Sequence, residues 1–149
     1  MAVNVRYIAA EPETIFRVLA DGWLYPSWVV GASRIRDVDA EWPAVSSELH
    51  HSFGVWPILI NDKTVCLEWD PPRRARLRAH GWPIGEAEVV LDVKPRGDGS
   101  VVRIIEDAVE GPGRLVPSFI RSIGIGIRNT ETLDRLAYLA EGGAGGARA

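Results

Sequence analysis

The chain has 149 residues, 46% of them hydrophobic and 25% charged, with a formal net charge of −3. That length suits a single domain, one that buries roughly 68–70% of its unfolded surface, and the composition excludes a disordered polyelectrolyte. Cys66 is the only cysteine, which excludes a disulfide scaffold and a cysteine-rich metal site. No apolar run approaches the ~20 residues that cross a bilayer, and MAVNVRYIAA lacks the basic and long apolar regions of a secretory signal. The expectation is a soluble, cytoplasmic protein, without membrane insertion.

Residues 3–8 alternate in polarity and predict a strand. Pro12 with Glu11 and Glu13 predicts a helix N-terminus, and Ile15, Phe16, Val18 and Leu19 its apolar face. Asp21-Gly22 ends that helix, and a second short helix broken or begun near Pro26 spans 23–30. The period then becomes two. Strands are expected over 33–38 and 48–53, and within 58–69, with a possible turn at Asn61-Asp62. Asp70-Pro71-Pro72 stops the last of these, because proline gives no ladder hydrogen bond. Further strands are expected over 73–80, 85–94 and 100–109, with a turn at 95–99, and then a long helix from about residue 115 or 117 to 140. Residues 1–141 form one expected domain, and the Gly/Ala-rich 142–149 an expected disordered tail. Helices segregated from a run of strands argue an α+β fold.

Charge pairing sets the register. A hairpin about Pro83 places His80 opposite Glu86, Arg78 opposite Glu88 and Arg74 opposite Asp92 on one face. Opposite-charge pairs of this kind contribute ~0.2–1 kcal/mol each. The arginine stripe is therefore a solvated, paired face, and no nucleic-acid partner is expected of an acidic chain. The other face carries Ala75, Leu77, Ala79, Ala87, Val89 and Leu91. Pairing Pro95 with Ser100 adds Ile104 and Glu106 to that apolar face, and the same parity turns Leu49, His51 and Phe53 inward. Three alanines leave room there, and the C-terminal helix must cover it with Phe119, Ile120, Ile123 and Ile127, then Leu133, Leu136, Ala137 and Ala140. The second half of this stripe is rotated by about one residue from the first, just after Gly124 and Gly126. A bent or loosely packed helix over small residues makes a cavity; otherwise Trp28, Phe53 and Trp69 fill it.

Strand, two short helices, curved antiparallel sheet of six to seven strands and long C-terminal helix resemble the helix-grip plan of the START/Bet v 1-like (SRPBCC) superfamily. Ala10-Glu11-Pro12-Glu13-Thr14-Ile15-Phe16, Tyr25-Pro26-Ser27-Trp28 and Trp69-Asp70-Pro71-Pro72-Arg73 carry the likeness. The segment Arg128-Asn129-Thr130-Glu131-Thr132-Leu133-Asp134-Arg135-Leu136 resembles the end of bacterial members described as polyketide cyclase/dehydrase-like. The resemblance covers nearly all of residues 2–141. It implies a deep apolar cavity rather than any particular reaction.

No catalytic triad spacing, HExxH motif or phosphate loop is present. His50 and His51 are neighbours on a strand and face opposite ways, so no metal site is expected of them. Six tryptophans, three of them followed by proline, either fill a core or wall a pocket mouth. His51 inside is either a satisfied core histidine or a ligand contact. Glu106 on the apolar face is the more informative group, because burial disfavours an unpaired carboxylate. Glu106 either serves the ligand or a reaction, or a bulge turns it to solvent, or it pairs with His51, Tyr7 or an arginine. The expected function is binding of a small hydrophobic or aromatic ligand, with no cofactor, in a monomer or homodimer. The expected lining is Trp28, His51, Phe53, Trp69, Ala75, Leu77, Ala79, Ala87, Val89, Leu91, Ile104, Glu106, Phe119, Ile120, Ile123 and Ile127. One alternative is a polyketide aromatase/cyclase or dehydratase with Glu106 and His51 as acid/base candidates. Another is a protein-interaction adaptor with a filled core.

Overall fold

A computed structural model describes residues 2–29, 32–55, 58–81, 85–110 and 118–143, and their side chains except at 33, 53–55, 58–60, 81, 85, 108–110 and 118–127. Phe53, Phe119, Ile120, Ile123 and Ile127, the inferred bend of the helix and the tail beyond residue 143 thus fall outside the described side chains or residues.

Strand β1 (Ala2–Ile8) leads into α1 (Pro12–Ala20), a 3-10 turn at Gly22–Leu24 and α2 (Tyr25–Trp28). Pro12 opens α1, where its missing N–H costs nothing, and Ile15, Phe16, Val18 and Leu19 are buried along one face. The Asp21 carboxylate accepts from the Trp23 backbone N–H at 3.2 Å and starts the 3-10 turn. Strands β2 (Ala32–Val38), β3 (Glu48–Val55), β4 (Ile58–Asp70), β5 (Arg74–Gly81), β6 (Gly85–Arg96) and β7 (Gly99–Glu110) follow, then α3 (Ser118–Glu141). They form one antiparallel sheet in the order β1-β7-β6-β5-β4-β3-β2. The fold is the α+β helix grip anticipated from the order of elements.

The β5–β6 and β6–β7 registers are those set by charge pairing: Arg74 opposite Asp92, Arg78 opposite Glu88, Leu91 opposite Ile104 and Val89 opposite Glu106. Four details differ. Strand β4 does not turn at Asn61-Asp62, because both residues pair within the ladder, with Ser52 and His51. The turn at 95–99 shrinks to Gly97-Asp98, with strand on either side. The arginines reach diagonally: Arg76 pairs with Glu88 at 3.1 Å and Arg78 with Glu86 at 3.5 Å, while Arg74 keeps Asp92 at 3.8 Å. Long side chains span such diagonal neighbours on one face. Finally, Leu67 is an extra residue between the pairs Cys66–Leu77 and Glu68–Arg76. This bulge shifts the parity of β4, so that Thr64, Cys66 and Trp69 all face the core.

The concave face and the helices share one core. Leu77, Leu91, Val93, Val102 and Ile104 from the sheet meet Leu133, Leu136, Ala137 and Ala140 of α3 and the apolar face of α1. Each leucine buried this way contributes roughly 1.5–3 kcal/mol. Trp69 packs edge-on against Phe16 with ring centroids 5.1 Å apart. On the opposite face of the sheet, Val3, Val5 and Tyr7 of β1 are exposed. No helix among the described residues is long and apolar enough to cross a membrane.

Candidate functional site

Burial along the concave face changes from one end to the other. On β5, Ala75 and Leu77 are buried and Ala79 is half-buried; on β6, Leu91 is buried and Val89 and Ala87 are half-buried. The filled end lies against the C-terminal half of α3, where Leu133, Leu136, Ala137 and Ala140 recur at helical spacing on the buried face. One turn earlier that buried face becomes polar, at Asn129 and Thr132. The displaced apolar stripe noted in the sequence therefore marks a place where polar side chains enter the core.

A set of polar groups gathers at this transition. The Tyr25 hydroxyl lies 2.9 Å from Thr64 Oγ1, which lies 2.8 Å from His51 Nε2. The Tyr25 and His51 rings stack at 5.3 Å, and the Trp28 ring meets Tyr25 edge-on at 5.4 Å. Burial pushes the His51 imidazole down to about 4 and the Tyr25 phenol up to about 12, so both are uncharged at neutral pH. One orientation satisfies both hydroxyls: the phenol donates to Thr64, and the Thr64 hydroxyl donates to the neutral Nε2.

Glu106 faces the core as the register requires, flanked on its neighbours by Ala2 and Val89. A bulge does occur in β7, but at Val109, beyond Glu106, so it leaves the parity intact. The carboxylate is 4% exposed and forms an ion pair with Arg128 of α3. Arg128 also donates to Asn129 Oδ1 at 3.4 Å. Arg128 and Glu106 act electrostatically on the Tyr25 phenol in opposite directions, both more weakly than burial does. Asn129 Nδ2, the Trp28 indole N–H and Arg128 Nε are among the buried donors that meet no acceptor. An unsatisfied buried donor costs about 1–3 kcal/mol.

The structure places Trp28 and His51 beside Tyr25 and Val89 opposite Glu106, and keeps Ala75, Leu77, Leu91 and Ile104 in the closed core. Trp69 instead sits at the far end, where it lines a surface groove of about 410 Å³ with Glu13, Phe16, Arg17, Ala20, Pro71 and Pro72. Tyr25, Thr64, Arg128 and Asn129 were missed. Thr64 was within reach of the parity argument, since it pairs with the inward Leu49. Arg128 and Asn129 carried one signal, the interruption of the apolar stripe between Ile127 and Leu133.

Outside the core, Asp39, Glu48 and His50 bring possible ligand atoms within 4.8 Å of one another. His50 Nε2 lies 3.5 Å from Asp39 and 3.7 Å from Glu48, but Lys63 Nζ is 2.9 Å from Glu48 and already supplies a cation. This corner reads as a surface ion-pair network.

Comparison with known proteins extends these observations. The fold matches protein NE0264 of Nitrosomonas europaea with a TM-score of 0.72 at 16% identity, over 94% of this chain and 93% of that one. Ara h 8.0201 matches with a TM-score of 0.72 at 9% identity, over 94% and 96% of the two chains. TTHA0849 of Thermus thermophilus gives a TM-score of 0.66 at 18% identity, over 95% and 97%. At these identities the likeness is one of fold. No curated protein matches in sequence. The profile of the family described as "Polyketide cyclase / dehydrase and lipid transport" matches residues 2–141, and the chain belongs to that family, on the START/Bet v 1-like helix-grip plan.

Proposed function

We propose that the protein binds a small, largely apolar or aromatic molecule between the concave face of the sheet and α3. The observation that carries this reading is the change along that face from a filled core at Ala75, Leu77 and Leu91 to half-buried positions at Ala79, Ala87 and Val89. Two of the three open positions are alanine, so the sheet itself does not fill the space above them. Membership in a family described by polyketide cyclisation and lipid transport supports the same reading. In it, Trp28, Val89 and Glu106 border the ligand, with Ala79 and Ala87 beneath it. Native mass spectrometry of the purified protein should detect a copurified small molecule, and Nile red should bind with enhanced fluorescence. Ala79→Phe should weaken dye binding while the protein stays folded. Dye binding unaffected by that substitution would place the ligand elsewhere.

A second reading is acid–base catalysis on a bound polyketide-like chain, and the Tyr25–Thr64–His51 relay favours it. A neutral imidazole at the end of a hydroxyl chain can take up a proton. Glu106 and His51 are its acid/base groups. His51 is wholly buried with its ring against Tyr25, so a substrate would have to reach it through the relay. Turnover lost in His51→Gln with binding retained supports this reading; binding without any turnover supports the carrier.

A further inference from the structure

We propose that β1 is the docking edge for a second copy of this chain, the two β1 strands pairing antiparallel about a two-fold axis at Val5 so that the sheets of both copies become continuous. The pairing uses the outer edge and outer face of the sheet, and it stands independently of the ligand-binding reading.

Among the described residues β1 is an outermost strand of the sheet, with β7 as its only neighbouring strand. The alternation of ladder bonds tells which of its backbone groups are left over. Gly97-Asp98 form a two-residue hairpin turn, which makes Arg96 and Gly99 a mutually bonded pair. The Val93 N–H donates to the Arg73 carbonyl at 2.8 Å, on the β5 side, which fits the same alternation. Odd residues of β7 therefore bond β6 and even residues bond β1, with Ile104 opposite Asn4 and Val102 opposite Arg6. Val3, Val5 and Tyr7 consequently aim their N–H and C=O groups at the open edge. Their side chains are exposed as well.

Sheet proteins guard such an edge with proline, a bulge or a charge. Strand β1 contains no proline and pairs with β7 without a bulge. Its one charged side chain, Arg6, is neutralised by Asp134 of α3 at 3.0 Å. Tyr138, one turn beyond Asp134 on the same side of α3, adds a further exposed ring.

The strand is complementary to itself. With Val5 opposite Val5, Val3 meets Tyr7 of the other copy, and all three outward-bonding residues are matched at once. Arg6 then faces Asn4 and Ala2 faces Ile8, so no like charges stand directly opposite each other. Three bonded pairs give about six hydrogen bonds, which correspond to roughly 600–1,200 Å² of interface. That size suits a reversible association in the micromolar range.

Sedimentation velocity of the full chain over a micromolar concentration series tests the proposal. The weight-average mass should rise toward that of two chains as concentration rises. Val5→Lys sets two ammonium groups against each other at the axis. It should hold the protein monomeric throughout, with thermal unfolding at low concentration unchanged, because residue 5 is exposed in the monomer. Cysteine reads the register. Val5→Cys should cross-link to its own copy on mild oxidation, since a bonded pair sets Cα atoms ~5.5 Å apart. Val3→Cys faces Tyr7 of the other copy and should not cross-link, and Cys66 is buried and does not compete. If Val5→Lys does not fold, the two cysteine variants decide. A monomer at every concentration, a dimer that survives Val5→Lys, or cross-linking of Val3→Cys as efficient as that of Val5→Cys would each overturn the proposal.

Discussion

Arg128, on α3, reaches across the interior of the grip to Glu106, on β7, and ties the helix to the sheet at the point where the core turns polar. The carboxylate is nearly enclosed, whereas about a third of the Arg128 side chain remains accessible. Removing one partner of an enclosed pair leaves the other uncompensated, which costs about 3–5 kcal/mol when both are buried. With Arg128 partly accessible, Glu106→Gln should destabilise by roughly 1–3 kcal/mol. The double variant Glu106→Leu/Arg128→Met should recover most of that loss. Urea unfolding of the three proteins measures it, and a double variant no more stable than the single one would show that the pair does more than neutralise charge.

The His51 imidazole makes stability depend on pH in a defined window. Its folded value of about 4 lies below the ordinary 6.5, so the unfolded chain binds the extra proton first. Stability from this group is therefore fully present above pH 6.5 and is lost as pH falls toward 4, by up to roughly 3 kcal/mol. His51→Gln keeps an acceptor for Thr64 and should flatten this dependence. Unfolding free energies at pH 4.5 and 7 test it; an equal slope in both proteins would place the titrating group elsewhere.

Tyr25 acts at the other end of the scale. Its phenol ionises only near 12, so stability present below pH 10 should fall as pH rises through 12. Absorbance at alkaline pH should show one phenol titrating late. Tyr25→Phe should remove that step and cost about 1 kcal/mol at neutral pH for the lost hydrogen bond to Thr64.

Alanines on the same strand should respond differently to enlargement. Ala75 lies in the closed core, and Ala75→Phe should cost at least about 1–3 kcal/mol through overpacking. Ala79 lies further along the strand, where the face is half-buried, and Ala79→Phe should cost well under 1 kcal/mol. Similar losses at both positions would mean that the space above Ala79 is already filled.

The arginine stripe should not serve nucleic acid. Arg74, Arg76 and Arg78 each face a carboxylate within 4 Å, and partly exposed pairs of this kind contribute ~1 kcal/mol or less. Fluorescence anisotropy with random duplex DNA at physiological salt should show no binding. Micromolar, salt-sensitive binding abolished by neutralising these three residues would reverse that view.

Residues 74–106 show how much of the molecule was legible in one dimension. Alternation told which side chains share a face, and opposite charges chose the pairing Arg74–Asp92 over a one-residue slip, which would have turned every side chain over. Those are local rules, acting between neighbours along a strand or across a tight hairpin, so sequence alone carried them, and with them the inward face of His51 and Glu106. The order of elements carried the helix-grip plan in the same way. Other features depended on docking. Leu67 and Val109 enter as extra residues and shift parity locally, with no compositional mark to announce them. Tyr25 meets Thr64 across 39 residues of chain, and Arg128 meets Glu106 from a different element. Nothing in the spacing of these residues encodes their contact, because the rotation of α3 and the placement of α2 follow from burying the whole apolar surface at once. The tertiary structure therefore decided which polar side chains share the interior, and which of them were left without a partner.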